Sequence, residues 1–232
     1  EHTAFGSALH TVCEVIVQDY DENKKSKNLE QLFEKEFLQN LQKIKNSSDN
    51  IEFSADLLNS MRAQGKYIIQ FILPALKKYF GKFEMVSVEE QIYQQIENKK
   101  IDKNFIDLVI YTPGTKKFHI IDWKTCSWGW DSRKKTDKMI TYQLSLYKHF
   151  WSRKHNKNYK DITTHFALLK RTANKNNAEI FKVSNGEKKI GNALKLLNKA
   201  VYNINKCNHV KNRLSCYGKY GVCEYYKTKH CS

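Results

Sequence analysis

The sequence predicts an α/β protein in which helices flank a central mixed β-sheet of about four or five strands. The first observation is a pair of short apolar runs, Phe105–Tyr111 and Phe118–Trp123, separated by a turn signal over Thr112–Thr115 that contains Pro and Gly. β-Branched and aromatic residues bounded by Pro-Gly are typical of a β-hairpin. The second observation is a set of longer segments, before and after this hairpin, whose apolar residues recur at helical spacing.

The other elements follow from the same periodicities and from capping signals. Ser54 or Asp56 is expected to cap a long helix that ends at Gly81, and Pro74 should kink or restart that helix. In chain order we predict a helix from Gly6 through Ile16, helices over Leu29–Ile44 and Leu57–Leu76, a strand over Phe83–Ile96, a turn over Asn98–Asn104, the hairpin, a helix over Lys138–Lys154, strands over Ile162–Leu169 and Glu179–Val183, and a helix over Ile190–Ile204.

The charge balance indicates a polyanionic partner. The 232-residue chain has 40 Lys and Arg residues against 24 Asp and Glu residues, a formal net charge of +16 at pH 7. A surplus of this size favours nucleic acid or another anionic surface, although a merely soluble basic protein would have the same composition. The length suits one ample core, so we expect residues 1–206 to form one domain.

We expect no membrane partner and an intracellular location. No apolar run approaches the ~20 residues that a membrane span requires, and no basic-then-apolar signal peptide opens the chain. The sequence has six cysteines. Without a secretion signal, cysteines are more often reduced or metal-bound than joined in a disulfide framework.

Two carboxylates interrupt the predicted hairpin. Asp107 lies within the first apolar run, and Asp122 ends the second, with Lys124 two residues later. A carboxylate in an apolar strand is costly unless it is paired or binds a cation, and neighbouring carboxylates repel each other. A divalent ion that prefers hard oxygen ligands, Mg²⁺ or Mn²⁺, would relieve both costs. Strand alternation places Asp122 and Lys124 on one face, but a weak Asp-x-Lys pair at an exposed strand end has the same spacing.

Four motifs in order resemble the PD-(D/E)XK nuclease superfamily. They are His10 on the first helix, Asp107, the triplet Asp122-Trp123-Lys124, and Gln143 with Tyr147 on a later helix. The set is similar to the RecB-like branch, which includes nuclease domains of bacterial recombination helicases, CRISPR adaptation nucleases and phage exonucleases. Ile106 stands before Asp107 where the superfamily pattern has Pro, a departure that is frequent in this branch.

The resemblance implies a restriction-endonuclease-like core that hydrolyses DNA phosphodiesters with Mg²⁺ or Mn²⁺. Lys124 would orient the attacking water or stabilise the transition state. Gln143 and Tyr147 would lie over the site and position the nucleic-acid backbone or the lysine. The implied metal ligands are His10, Asp107, Asp122 and the backbone carbonyl of Trp123.

Two further acids are candidates for a supporting role. Glu14 follows His10 by four residues, so both side chains share one helix face, and Glu14 would steady the ligand. The same spacing suits a surface histidine that is merely paired with Glu14. Glu90 has the strand parity of Val88 and Ile92, and it is either another acid of the site or the partner of a buried cation.

The implied reaction is exonucleolytic cleavage of DNA ends or single strands, with a structure-specific or nicking endonuclease as the alternative. A different class is a non-catalytic nucleic-acid-binding module, or an adaptor that assembles with a helicase, polymerase or recombination protein. The intact His, Asp, Asp and Lys set argues against this class. The Lys- and Asn-rich composition fits an AT-rich genome such as that of a phage.

A basic and aromatic segment follows the triplet. Trp128 and Trp130 precede Arg133, Lys134 and Lys135. Bases stack on aromatic rings while cations hold phosphates, so this composition favours nucleic-acid binding. A lid whose tryptophans simply pack on the domain would look the same. Two further cations that we expect to bind DNA come after a later strand: Lys170 and Arg171.

The C-terminal segment, residues 207–232, is rich in Cys and Tyr, and we expect it to pack on the same domain. Relatives of this branch carry an iron–sulfur cluster whose C-terminal cysteines begin with a tight Cys-x-x-Cys, which is absent here. The spacing also matches no common zinc finger. We therefore do not favour a cluster, although one remains open, as does zinc; its ligands would be Cys207, Cys216, Cys223 and Cys231.

Overall fold

The protein is described by a computed structural model that covers residues 1–25, 28–47, 52–96, 99–208, 216–218, 221–223 and 225–229, with only the backbone of 93–104. Its strands are β1 (Glu84–Ile96), β2 (Lys99–Thr112), β3 (Lys117–Cys126), β4 (Ile162–Lys170), β5 (Ala178–Val183), β6 (Tyr217–Gly218) and β7 (Gly221–Val222). Its helices are α1 (His2–Asp21), α2 (Leu29–Ser47), α3 (Ala55–Phe80), α4 (Ser132–Thr136), α5 (Lys138–Lys154) and α6 (Glu187–Asn205).

The first five strands form one mixed sheet in the order β1-β2-β3-β4-β5. Three neighbouring pairs are antiparallel, and only β3 and β4 run parallel. A parallel pair needs a long crossover, and α5 supplies it. The predicted fold class, an α/β protein with about five strands flanked by helices, is therefore confirmed, and β3 is the central strand.

Apolar side chains cover both faces of the sheet. On one face, Leu108, Ile121 and Trp123 pack with the buried residues of α1, α2 and α3. On the other face, Ile120 and Phe166 pack with α5. The middle of β3, residues 120–123, is buried from both sides, and Asp122 is the one charged residue of that stretch.

Several element boundaries differ from the predictions. The turn expected over Asn98–Asn104 is wrong, because β2 begins at Lys99; Asn98 lies outside the described residues. The polar residues at the start of β2 pair with β1 through backbone hydrogen bonds, which require no apolar side chains. The helix α1 begins at His2 rather than Gly6, and α3 is continuous across Pro74, which does not restart it. The predicted cap is confirmed: the Ser54 hydroxyl accepts a hydrogen bond from the Leu57 N–H.

The chain forms two compact units, Glu1–Gly191 and Asn192–Ser232. In the second unit, the Tyr217 hydroxyl lies 2.7 Å from that of Tyr226, and the Cys223 N–H donates to the Cys216 carbonyl. That the Cys-rich segment packs on the domain stays a prediction. Among the residues that the structure describes, no helix has both the length and the apolar character needed to cross a bilayer.

A glycine sets the approach of α2 to α3. Gly65 on α3 faces the ring of Phe33, which is fully buried and packs against the rings of Phe5 and Phe37 at centroid distances of 5.6 and 5.7 Å. A Cβ atom at position 65 would overlap the Phe33 ring. We expect Gly65→Ala to lower the free energy of unfolding by about 1–3 kcal/mol, the usual cost of overpacking a core, measured by urea denaturation.

Gly191→Ala on α6 is the matched control for this substitution. A Cβ atom at Gly191 would meet nothing within 4 Å, so the exchange should raise stability by about 0.5–1 kcal/mol through helix propensity alone. Equal stability changes in the two variants would contradict the overlap at Phe33.

Candidate active site

The strands β2 and β3 stop pairing where the acidic residues begin. Their last paired residues are Leu108 and Ile121. One residue further, Oδ2 of Asp107 accepts a hydrogen bond of 2.7 Å from the Trp123 N–H. The alternation of β2 also breaks here, since Ile106 belongs to the core on the α5 side and Leu108 to the core on the opposite face. Asp107 therefore lies in an opening between two strands of the sheet.

Asp122 and Lys124 lie beside this opening on β3, which remains paired with β4 through Cys126. The Lys124 ammonium is 2.7 Å from Oδ2 of Asp122. Asp122 is only 1% exposed, and Oδ2 accepts no hydrogen bond of regular geometry within the described part of the chain. A weak pair at an exposed strand end does not fit this burial. Burial, and then repulsion from Asp107, raises the pKa of Asp122 above its usual range.

His10 reaches the opening from α1. Its Nδ1 lies 3.7 Å from Oδ2 of Asp107, and the charges of Asp122 and Lys124 act on its pKa. Gly6 allows this approach, because a Cβ atom there would lie 3.2 Å from the Thr125 hydroxyl at the end of β3. Burial lowers the pKa of His10, which favours the neutral imidazole that binds metal ions.

Glu89 completes the cluster, and the sequence analysis missed it. Single ligand atoms of His10, Glu89 and Asp107 all lie within 4.8 Å of one another. Val88 pairs with Leu108 and Glu90 with Ile106, so Glu89 stands opposite Asp107. Its φ of 46° is left-handed, which regular strand alternation does not anticipate. Burial raises the pKa of Glu89 as well.

Glu90, which the strand parity favoured, lies elsewhere. Its carboxylate binds the Lys154 ammonium and the His155 imidazole, both at 2.6 Å, and accepts a hydrogen bond of 2.9 Å from the Trp151 indole. It therefore ties β1 to the end of α5. Of the two alternatives given for Glu90, these contacts fit the partner of cations rather than an acid of the cluster.

Glu14 stays close to the cluster. Burial, followed by the charges of Glu89 and Asp107, raises the pKa of Glu14 to about 7. Because the charges of Glu89 and Asp107 shift the pKa of Glu14, its carboxyl group lies close enough to interact with them. Its supporting role remains a prediction.

Gln143 and Tyr147 approach from the opposite side, on α5. The Gln143 amide donates a hydrogen bond of 2.9 Å to the Tyr147 hydroxyl. Burial, and then the charges of Asp122, Asp107 and Glu89, raises the pKa of Tyr147. The hydroxyl therefore stays protonated, and it is held within reach of the carboxylates.

The donor set fits a hard divalent ion. Carboxylates with raised pKa values and a neutral imidazole converge at the opening, where Lys124 is the nearby cation, and the buried Oδ2 of Asp122 lacks a regular hydrogen bond. Carboxylate oxygens with imidazole suit Mg²⁺ or Mn²⁺. The residues that would hold such an ion are His10, Glu89 and Asp107, with Asp122, which lies outside this close group, as a fourth candidate. Bound there, the ion would lower the pKa of a water molecule and neutralise charge on a phosphate.

The predicted nucleic-acid segment has one partly buried and one exposed tryptophan. The Trp130 ring packs on Phe166 at a centroid distance of 5.1 Å, as the lid interpretation expects. Trp128 is 77% exposed, which packing on the domain does not explain. Arg133 and Lys134 are exposed, and the Lys134 ammonium lies 4.8 Å from the centre of the Trp130 ring.

The other predicted cations have protein partners. Lys135 and Lys170 bind the two carboxylate oxygens of Glu179, at 2.5 and 3.0 Å. The Arg171 guanidinium donates to the neutral side chains of Gln64 and Ser127. Lys135 and Lys170 thus share the single carboxylate of Glu179. Gln64 and Ser127 carry no charge, so they do not neutralise the Arg171 guanidinium. That these residues bind DNA stays a prediction.

The cysteines of the C-terminal segment are not grouped as ligands within the described ranges. Among those residues, His10, Glu89 and Asp107 are the one group of three potential ligands that lie close together. Cys207 is exposed and Cys216 is buried. Cys231 lies outside the described residues. The expectation of no iron–sulfur cluster therefore stays a prediction.

Glu89 can be tested as a ligand by direct metal binding. Glu89→Gln keeps the size of the side chain but removes an anionic oxygen from the cluster. We expect it to weaken Mn²⁺ binding by roughly ten-fold or more, measured from the loss of the free Mn²⁺ signal in electron paramagnetic resonance.

Glu90→Gln is the matched control, because it makes the same exchange at the neighbouring residue, whose partners are Lys154 and His155. It should lower stability and leave Mn²⁺ affinity unchanged. Wild-type affinity in Glu89→Gln would remove Glu89 from the ligand set.

The chain is similar to several solved structures and matches one protein family. Solved structures that resemble the chain include a "putative exonuclease" from Eubacterium rectale (14% identity, TM-score 0.43, 85% of this chain and 69% of that chain). Others are SSO0001 (12%, 0.38, 85% and 86%) and the protein VC1899 from Vibrio cholerae (12%, 0.27, 89% and 53%). No curated protein matches the chain. The family model of the PD-(D/E)XK nuclease superfamily matches residues 1–228, and the chain therefore belongs to this superfamily.

Proposed function

We propose that this chain is a Mg²⁺- or Mn²⁺-dependent deoxyribonuclease that degrades DNA from ends or as single strands. The observation that carries the proposal is the meeting of Asp107, Asp122, Lys124 and His10 at the opening between β2 and β3. Acids this deeply buried are destabilising unless a cation joins them. A structural role alone does not account for their convergence on a neutral histidine.

Each side chain has a distinct task on this proposal. Asp107, Glu89 and Asp122 would hold the metal, and His10 would bind it through a neutral nitrogen. Lys124 is partly exposed beside Asp122, so its ammonium can contact the scissile phosphate or the attacking water. Tyr147 donates its hydroxyl proton towards the bound backbone from the opposite side, with Gln143 fixing its orientation.

The substrate is a polyanion that the net charge of +16 attracts from a distance. The exposed Arg133 and Lys134, a few residues beyond the site, would bind backbone phosphates. We propose DNA rather than RNA as the substrate. A helicase, polymerase or recombination protein would be the partner that delivers ends or single strands.

The deciding experiment compares supercoiled plasmid with the same plasmid made linear, each with Mg²⁺, Mn²⁺ or EDTA. We expect loss of the linear form with either metal, no reaction in EDTA, and an intact circle. Nicking of the circle would instead indicate an endonuclease. Binding of both forms without cleavage under any metal would overturn the proposal in favour of a non-catalytic module.

Removal of either metal-binding carboxylate should abolish cleavage. Asp107→Ala and Asp122→Ala each delete a hard anionic ligand. We expect initial rates at background level and preserved circular dichroism, because each variant also loses a repelling buried charge. Near-normal cleavage by either variant would contradict the assigned site.

Lys124→Ala should separate chemistry from binding. We expect the cleavage rate to fall by roughly 10²–10³-fold, the usual cost of losing one transition-state contact. DNA affinity should hardly change, since one cation is a small part of the basic surface, and it should weaken steeply with salt in both proteins. A parallel loss of affinity and rate would assign Lys124 to binding instead.

A further inference from the structure

The segment after β3 turns one tryptophan inward and its neighbour outward. Gly129 stands between Trp128 and Trp130 with a φ of +129°, a backbone conformation that side chains disfavour. Trp130 enters the domain, and Trp128 leaves it with 77% of its surface exposed. An exposed indole presents a flat π-face that can stack on another ring.

The exposed ring stands on a fixed base. On one side, the carbonyls of Cys126 and Ser127 accept hydrogen bonds of 2.9 and 2.8 Å from the N–H groups of Arg171 and Thr172. On the other side, Trp130 packs between the core and the Lys134 ammonium. Trp128 is therefore anchored at both of its flanks, which lowers the entropy that binding must remove.

Trp130, which anchors the exposed ring, lies next to the candidate active site. The Phe166 ring contacts Trp130 at 5.1 Å and the Lys124 ammonium at 5.9 Å, so the anchor and the catalytic lysine share one neighbour. Trp128 follows Lys124 by four residues, a span of at most about 14 Å. A strand with its scissile phosphate at Lys124 therefore passes Trp128 within a few nucleotides.

Cations lie close to Trp128 in the sequence, and another cation contacts its neighbour in the structure. Arg133, Lys134 and Lys138 follow it and are exposed, and the Arg171 guanidinium donates to the Ser127 hydroxyl. The acids of the segment have other tasks, since each caps a helix by accepting a backbone N–H: Asp131 from Lys134, and Asp137 from Met139. An exposed aromatic ring in a segment of exposed cations suits a nucleobase and its phosphates.

We propose that Trp128 is a stacking platform for an unpaired nucleobase and that it selects single-stranded DNA for the adjacent site. In a duplex both faces of each internal base are covered by its neighbours, so the indole can stack only on an unpaired base or an end. The proposal rests on the proposed nuclease function for its substrate class, but its test measures binding without cleavage.

Tryptophan fluorescence reports on Trp128 directly. Trp123 and Trp151 are buried and Trp130 is partly buried, so iodide should quench mainly Trp128. In EDTA, a short oligothymidylate should quench the emission and protect the remainder from iodide, and a blunt duplex of equal length should do so far less. In Trp128→Phe both effects should disappear. Equal quenching by single strand and duplex would overturn the proposal.

Affinities measured by anisotropy in EDTA complete the test. Trp128→Ala should lose roughly ten-fold or more in affinity for the oligothymidylate and little for the duplex, the loss expected for one base stack. Trp128→Phe, which retains a ring, should recover most of it. Leu38→Ala removes a half-exposed apolar side chain from α2 and should change neither affinity.

The two proposals fail separately. A wild-type protein that cleaves DNA while Trp128→Ala binds the single strand normally would overturn stacking and leave the nuclease intact. A protein that shows the Trp128-dependent single-strand preference but cleaves nothing with Mg²⁺ or Mn²⁺ would support stacking and overturn the proposed function.

Discussion

The site depends on one hydrogen bond in which a side chain takes the place of a backbone partner. In a regular ladder the Trp123 N–H would bond a backbone carbonyl of β2, but here the carboxylate of Asp107 accepts it. The carboxylate takes this place where the pairing stops, since Leu108 is the first residue of β2 that pairs with β3 and Ile121 is the last residue of β3 that pairs with β2. Asp122 and Lys124 follow on β3 beside this point, with Asp122 buried and Lys124 partly exposed. Asp107 thus combines a structural hydrogen bond with a place in the group of potential ligands.

The electrostatics of the gap explain why its residues form a unit. Burial raises the pKa values of Asp107, Asp122 and Glu89, and repulsion from neighbouring carboxylates raises them further. Lys124 offsets only part of this charge from 2.7 Å. The chain has an excess of 16 positive charges, yet these three carboxylates lie together with only one lysine beside them. Such an arrangement is typical of a functional site and suits the binding of a cation. The same arrangement leaves stability to the two apolar cores on either side of the sheet.

The sequence predicted the sheet, most helices and the residues of the motifs, because strand and helix periodicity depend on local spacing alone. It failed at Glu89, since simple alternation assigns Glu90 to the inner face and cannot reveal a left-handed residue. The place of Glu89 opposite Asp107 depends on the hairpin register, and the expected turn over 98–104 gave the wrong register. The pairing of Lys135 and Lys170 with Glu179 was equally invisible, because Lys135 on α4 and Lys170 on β4 meet Glu179 on β5 only in the folded chain.

Chemistry and recognition are separated along β3 and its continuation. The buried acids are fixed by the sheet, where small displacements would spoil ligand geometry. Four residues beyond Lys124 the chain leaves the sheet, and there Gly129 allows a large ring to face solvent. Phe166 joins the two regions, since its ring is a neighbour of both the Lys124 ammonium and Trp130, which anchors the exposed indole. On the proposed function, a base stacked on Trp128 would therefore be placed relative to Lys124 by a core side chain, and its register at the proposed metal ligands would follow from the fold rather than from a flexible loop.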